Sequence, residues 1–320
     1  MRAVYIEKFG GIENLKYGDR PAPEPGAGEA LVKVAMSGVN FTDAYHRTGL
    51  YQLPLPAILG SEAAGVVEKT GEGVNGFKAG DRVAYAMARG SYAEYQAVPA
   101  KFLVHVPDGV ELIDAAASIL QGMTAYYLVH STFPLKAGQT ALIHAAAGGT
   151  GRLLVQMAKM CGARVIATAG TAEKLAIARE AGADEAIGYE GQDWVAEVKK
   201  ATGGAGVDVV YDSVGRATFL KGLECLKPCG MMVCFGQSSG PVEAFDLLLL
   251  IKGSLYVTRP TLANHIGPDE LSRSTRDLFQ WIKEGKLKLK IDKRYKLADA
   301  AEAHRDLEGR KSTGKLILEI

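Results

Sequence analysis

Hydrophobic and polar positions divide this chain into two kinds of territory. Up to about residue 120 the apolar runs are short and of β type, and Gly and Pro punctuate them. Residues 30–40 (ALVKVAMSGVN), 63–71 (AAGVVEKTG), 81–86 (DRVAYA) and 102–107 (FLVHVP) are such runs, and they predict a compact, mostly antiparallel β domain. The pattern changes at 115–129 (AAASILQGMTAYYLV), which reads as a helix. Strands and helices then alternate. TALIHAA (140–146) precedes a helix starting near Gly149. ARVIATA (163–169) precedes AEKLAIAREAG, where Gly182 is a helix stop. EAIGY leads to DWVAEVKKATGG, and VDVVYDSV leads to a helix over ATFLKGLECLKPCG (217–230). MMVCFG and SLYVTR (254–259) complete the series. Alternation of this kind predicts an α/β fold with a doubly wound parallel sheet, whose strands are apolar on both faces. From about 268 a helix (PDELSRSTRDLFQWIKEG) precedes YKLADAAEAHRDLEG and a last strand, KLILEI, which extends the sheet or returns to the first domain.

The sharpest local signal is IHAAAGGTGRLLVQMAK (143–159), a strand that turns into a helix with almost no side chains at the bend. Ala145, Gly148 and Gly151 fit a relaxed dinucleotide fingerprint in which alanine replaces the first glycine. The first position must be small for a tight turn. The second lets a pyrophosphate approach the backbone, and the third lets the helix pack close to the strand. Main-chain N–H groups and the helix dipole then face the phosphates. About 20 positions on, where an acidic residue ordinarily meets a free ribose 2′-hydroxyl, the chain reads ATAGTAEK (167–174). Ala169, Gly170 and Thr171 leave room for a 2′-phosphate that Lys174 meets as a point charge, which predicts NADPH over NADH. Strand ends at DSVG (212–215) and FGQSSG (235–240) place Gly236 and Ser238 where ligands of open α/β sheets lie.

Bulk composition narrows the function classes. Hydrophobic residues make up 48%, and Lys+Arg 37 against Asp+Glu 36 gives a formal net charge of +1. No global field draws the chain to nucleic acid or membrane. The amino terminus lacks a signal-like apolar run, and FDLLLLI (245–251) is too short to span a bilayer, so a soluble cytoplasmic protein is expected. Cys225, Cys229 and Cys234 cluster without a second ligand pair, and the six histidines form no close pair; buried thiols and no metal are the expectation.

Several stretches together resemble one family, the zinc-free quinone oxidoreductases of the medium-chain dehydrogenase/reductase superfamily, the group that includes zeta-crystallin. They are GVNFTDAYHRTGLY (38–51), LGSEAAGVVEKTGEGV (59–74), GDRVAY (80–85), HAAAGGTG (144–151), VVYDSVG (209–215) and GSLYVTRP (253–260), and the resemblance runs nearly full length. It implies a GroES-like, mostly β substrate domain from 1–122 and 265–320, a Rossmann domain over 123–264, and an active site in the cleft. Carried over by position, Asn40, Tyr45, Tyr51 and Thr124 face the nicotinamide or the substrate. Gly148, Gly149, Thr150 and Gly151 hold the pyrophosphate, and Gly170, Lys174 and Tyr189 surround the adenosine end. Phe235, Gly236, Gln237 and Ser238, with Val257, Thr258 and Arg259, lie along the nicotinamide half, and Lys315 lies near the 2′-phosphate. The superfamily's alcohol dehydrogenases have cysteine where this chain has Asn40, and Gly-His-Glu where it has Gly60-Ser61-Glu62. Asn and Ser are poor zinc ligands beside thiolate and imidazole, and no cysteine precedes Cys161 to form a four-cysteine lobe.

The expectation is therefore hydride transfer from NADPH to a quinone without a metal. Asn40 orients the nicotinamide or the acceptor, Tyr51 or Tyr45 donates to the quinone oxygen, and water supplies the proton. Reduction of activated C=C bonds in enones or alkenals suits the same parts. A structural or RNA-binding role, as in crystallin recruitment, is the reading of another class. The near-balanced charge and the lack of an RNA module disfavour it. A homodimer through SLYVTR completes the expectation.

Overall fold

The computed structural model describes residues 1–189 and 193–320. The chain forms two compact units, Met1–Met123 with Ile266–Ile320, and Thr124–His265.

The Thr124–His265 unit is built on six parallel strands. Their order across the sheet is Glu185–Gly188, Arg164–Ala169, Thr140–Ile143, Val207–Asp212, Leu226–Cys234 and Tyr256–Thr258. In chain order this is 3-2-1-4-5-6, the doubly wound arrangement whose order reverses between the first and fourth strands. Leu142, Ile166, Val210 and Met232 from the strands are buried with Trp194, Val195 and Val198 from the helix Trp194–Ala201. Residues 207–212 are buried on both faces of their strand, as helical covering on two sides requires. One segment departs from the sequence pattern. Residues 217–230, expected as one helix, hold only the helix Phe219–Leu223, and the strand Leu226–Cys234 starts early. Pro228 has no N–H for a ladder and Cys229 takes φ +61°, while the pairing register shifts between Val207 and Val209. The strand thus begins with an irregular stretch that apolar spacing does not reveal.

The other unit centres on a sheet in the order Ile291–Lys296, Lys315–Glu319, Glu29–Val39, Glu62–Thr70, Arg82–Ala86 and Leu103–His105, and Tyr95–Pro99 also pairs with Glu29–Val39. All pairs are antiparallel except Ile291–Lys296 with Lys315–Glu319. The last strand therefore returns to the β unit, registering Leu316 with Val39 and Ile317 with Gly38. A smaller antiparallel sheet joins Lys16–Asp19, Arg2–Ile6 and Ala57–Ile58. Residues 295–309 give a strand end, a 3-10 turn and the helix Ala300–Glu308, whose Ala303 and Leu307 join a core with Leu316 and Leu318. The apolar helix Leu112–Tyr127 is a core helix, with Ala115, Ala116, Ile119 and Met123 all buried.

Candidate functional site

Two constellations concentrate chemistry, one in each unit. The first is the glycine turn. The strand Thr140–Ile143 ends at His144, and the chain bends into the helix Gly149–Met160 with Gly148 at its N-cap. Ala145 takes φ +51°, the left-handed region where glycine is the ordinary residue. A Cβ on Gly151 would lie 2.4 Å from the Ala145 carbonyl oxygen and 2.9 Å from Ala146 Cα, so the helix start presses directly on the turn. The first-turn amides of Gly149, Thr150 and Gly151 have no acceptor among the described residues, while the Arg152 N–H already reaches the Gly148 carbonyl. Three donors and the positive end of a helix thus converge at the point where the strand order reverses. That combination has the chemistry a diphosphate requires.

Below the turn, the Tyr189 hydroxyl accepts from the Ala145 N–H at 3.2 Å and from Thr168 Oγ1 at 2.7 Å, and lies 3.1 Å from His144 Nδ1. It braces the strained residue from beneath. His144 is fully buried, and burial pushes its pKa down, so the ring is neutral. At the end of the next strand, Gly170 has open space where a side chain would be, and Thr171 caps the helix Ala172–Glu180 by accepting from the Lys174 N–H at 3.3 Å. Lys174 is half-buried in that first turn.

The later strand ends are knitted together. The buried Asp212 carboxylate accepts from Val214 N (2.7 Å), Gly215 N (3.0 Å) and Thr218 Oγ1 (2.9 Å). A Cβ on Gly236 would stand 2.6 Å from the Ser213 carbonyl oxygen. Arg259 Nη1 donates to the carbonyls of Cys234 (2.7 Å) and Gly236 (3.1 Å), which ties it to the half-buried run Phe235, Gly236, Gln237 and Ser238. Val257 and Thr258 lie on the edge strand Tyr256–Thr258. Thr124 is half-buried on the helix Leu112–Tyr127.

The second constellation is a buried polar network in the β unit. Asn40 stands at the N-cap of the helix Phe41–Thr48. An asparagine there ordinarily turns its side-chain oxygen onto the helix amides. Here the Asp43 N–H instead reaches the Asn40 backbone carbonyl at 3.0 Å, and Asp43 Oδ2 accepts from the Asn40 N–H at 2.9 Å. The Asn40 amide is released into the interior. Its Nδ2 donates to Glu62 Oε1 at 2.7 Å, and its Oδ1 accepts from Lys315 Nζ at 2.8 Å and from Gln121 Nε2 at 3.1 Å. Lys315 and Glu62 form an ion pair, 3% and 0% exposed, and Glu62 Oε2 also accepts from the Leu120 N–H at 2.8 Å. Gly38 makes this possible, since a Cβ there would meet both the Glu62 carboxylate and the Lys315 stem.

Behind Asn40 the network continues. Asp43 accepts from Ser61 Oγ (2.8 Å) and Tyr92 OH (3.0 Å), and Tyr92 lies 3.3 Å from His304 Nε2. Burial lifts the Asp43 carboxyl to about 6 against the pull of those donors, and burial drops His304 to about 3. At the other end of the helix, the Tyr45 and Tyr51 rings meet edge to face at 5.2 Å, with Tyr51 40% exposed.

Two expectations need correction. Lys315 is not available to a 2′-phosphate: its ammonium is buried and bound to Glu62 and Asn40. The reason is topological, since the last strand returns beside Glu29–Val39 and brings Lys315, its first residue, against Asn40 and Glu62. Asn40 is 5% exposed and its amide is taken up by the protein's own groups, so it is not a free donor to a ligand. Sequence reasoning missed Gln121, whose only signal is to be the one amide in an apolar helix. It also missed the Asp43–Tyr92–His304 chain, whose members lie far apart in sequence.

A divalent zinc does not fit this donor set. Asn40 and Ser61 are weak ligands already bonded to protein, and an ammonium bridges the Asn40 and Glu62 oxygens that a metal would need.

Comparison with known proteins places these parts in context. The family model described as an alcohol dehydrogenase GroES-like domain matches residues 26–108, and the one described as a zinc-binding dehydrogenase matches 149–284. The chain is 44% identical to a quinone oxidoreductase of Pseudomonas aeruginosa, over 99% of both chains. It is 40% identical to a 2-haloacrylate reductase of a Burkholderia species, over 99% of this chain and 98% of that one. Among solved structures, Escherichia coli quinone oxidoreductase complexed with NADPH matches at 43% identity and a TM-score of 0.98, covering 100% of both chains. On this full-length likeness, the chain belongs to the quinone oxidoreductases of the medium-chain dehydrogenase/reductase superfamily.

Proposed function

We propose that this protein is an NADPH-dependent quinone reductase that works without a metal. The observation that carries the reading is the glycine turn, with three unpaired first-turn amides at the reversal of the strand order. The protein's likeness to an NADPH-bound quinone oxidoreductase supports it. NADPH, when bound, supplies the hydride. Gly148, Gly149, Thr150 and Gly151 would receive the pyrophosphate through N–H groups. Gly170 has open space where a 2′-phosphate would lie, and Lys174, in the first turn of the helix that follows, would meet it as a cation. Tyr189 keeps the Ala145 turn in place through its hydroxyl. Phe235 to Ser238, with Val257, Thr258 and Arg259, would line the nicotinamide half, where Arg259 fixes the loop carbonyls rather than the ligand.

On the acceptor side, Tyr45 and Tyr51 offer an aromatic pair with hydroxyls, suited to a flat electron-poor ring whose oxygen gains charge. Thr124 lies on the helix that also carries Gln121. A quinone takes hydride readily, so orientation and hydrogen bonding suffice and no Lewis acid is needed. Reduction of an activated C=C bond is the second reading, favoured by the likeness to a 2-haloacrylate reductase. The free cysteines suit a reducing cytoplasm. We also infer a homodimer, since the edge strand Tyr256–Thr258 is flanked by exposed apolar residues.

The test is NADPH oxidation in the presence of a quinone and, separately, an enone. Quinone turnover with NADPH well above that with NADH is the expected result. Turnover of the enone alone would transfer the assignment to the second reading. Lys174→Glu should raise the KM for NADPH about 10-fold and leave that for NADH nearly unchanged, because only the 2′-phosphate meets the reversed charge.

A further inference from the structure

We propose that Gln121 is the amide that hydrogen-bonds the oxygen of the reducible acceptor, and that Lys315, Glu62 and Asn40 determine which way it faces. The inference rests on the quinone-reductase reading.

The argument runs outward from the ion pair. An ammonium only donates, so the atom of Asn40 that faces Lys315 Nζ at 2.8 Å must be the carbonyl oxygen. A carboxylate only accepts, so the atom that faces Glu62 Oε1 at 2.7 Å must be the amide nitrogen. Flipping the Asn40 amide would set NH2 against an ammonium and C=O against a carboxylate, two desolvated like-sign contacts. The orientation is fixed by charge. Oδ1 then has one lone pair left, and only a donor can use it. Gln121 Nε2 fills that place at 3.1 Å, so the Gln121 amide has a determined orientation as well.

Gln121 differs from the inner members in exposure. Lys315, Glu62 and Asn40 are all buried, whereas Gln121 is only half-buried. After its bond to Asn40, Gln121 keeps one N–H and its carbonyl without a partner among the described residues. A buried ion pair is a poor source of stability compared with well-packed apolar groups. This one ends in a half-buried amide with a pre-set spare donor, the arrangement that stabilises charge developing on an oxygen. The acceptor, rather than the dinucleotide phosphates, is the fitting ligand. Gln121 lies in the same unit as Tyr45 and Tyr51, and Asn40 both receives Gln121 and begins the helix that carries Tyr45. The amide donates a hydrogen bond and transfers no proton. Asn40, Glu62 and Lys315 are positioning residues.

The test uses the full-length protein, NADPH and benzoquinone. Gln121→Leu should lower kcat/KM for the quinone about 10- to 100-fold, while the NADPH Kd, from fluorescence titration, stays within about 3-fold. Gln121→Glu should give the pH profile a limb that the parent lacks: activity recovers on acidification but only in part, because the protonated carboxyl has one O–H to divide between Asn40 Oδ1 and the acceptor where the amide has two N–H groups. Lys315→Met should weaken quinone turnover like Gln121→Leu, and Lys315→Arg should restore most of it. An unchanged kcat/KM in Gln121→Leu overturns the inference, as does an NADPH Kd that weakens in proportion, or a Gln121→Glu profile parallel to the parent's. If the parent protein binds NADPH but reduces no quinone, the functional reading falls and this inference with it. If the parent turns over and the Gln121 variants match it, only this inference falls.

Discussion

Single residues carry the pH behaviour of the β unit. Tyr92 has one hydroxyl proton and gives it to Asp43 Oδ2, so His304 must be the donor in its contact with Tyr92, from Nε2. Nδ1 then stays bare in the core, without a partner among the described residues. The neighbouring Arg47 adds to the burial that opposes charging this ring. With a folded pKa of about 3 against about 6.5 when unfolded, the unfolded chain binds the extra proton between those values. Stability should therefore fall as pH drops through that window, by up to about 1.4 kcal/mol per unit. Asp43 works in the other direction. Its folded pKa of about 6 exceeds the usual carboxylate value, so the folded state takes up the proton and gains stability on acidification from pH 6 to 4. Over pH 4–6 the two slopes oppose one another. In urea denaturation across that range, His304→Gln should become more stable on acidification than its own value at pH 6, and Asp43→Asn should lose stability. Variant slopes parallel to the parent's would remove this account. None of this is legible in the sequence, because Asp43, Tyr92 and His304 are brought together only by folding. The same holds for Lys315, separated from Asn40 by 275 positions. The resemblance placed Lys315 near a 2′-phosphate, while the register of the last strand makes it a buried cation.

At the scale of elements, the strand–turn–helix at 140–160 was the most legible part, because every requirement there is local. A small residue must take the left-handed bend, and a glycine must stand where the helix meets it. Ala145 and Gly151 do so in the structure. The helix over 217–230 was misread because Pro228 and the left-handed Cys229 serve a strand irregularity whose cause lies on the neighbouring strand. The turn yields a paired prediction. In Gly151→Ala the new methyl would meet the Ala145 carbonyl and Ala146 Cα, backbone atoms that cannot rotate away. The variant should lose about 2 kcal/mol or more of stability, or bind NADPH more than about 10-fold more weakly. Ala145→Gly should be neutral or up to about 1 kcal/mol more stable, because glycine takes φ +51° without steric penalty. Thermal melts and fluorescence titration of both variants decide the matter. If Gly151→Ala behaves like the parent, close helix–strand contact is not what the glycine is for.

At the scale of the whole molecule, the informative feature is apolar surface that remains uncovered. Among the described residues the edge strand Tyr256–Thr258 is bonded on one side only, to Leu226–Cys234, so its other side presents N–H and C=O groups outside the ladder. Natural edges are commonly blunted by charge or proline. This one instead has Tyr256 at 57% and Val257 at 38% exposure, and beside it in sequence the 3-10 segment Leu247–Gly253 exposes Leu247 at 73%, Leu248 at 68% and Ile251 at 76%. The proposed homodimer would account for them together, because an edge strand paired with its own copy would satisfy the backbone groups and cover the flanking side chains in one isologous contact. Sedimentation velocity at micromolar concentration should show a dimer near twice the 34.0 kDa chain mass. Ile251→Asp and Val257→Asp, both at exposed positions away from the glycine turn, should shift the equilibrium toward monomer, and NADPH binding at the turn should persist in Ile251→Asp. A parent protein that sediments as monomer across that range would refute the contact. Dimers in which both aspartate variants are as tight as the parent would put the interface elsewhere on the molecule.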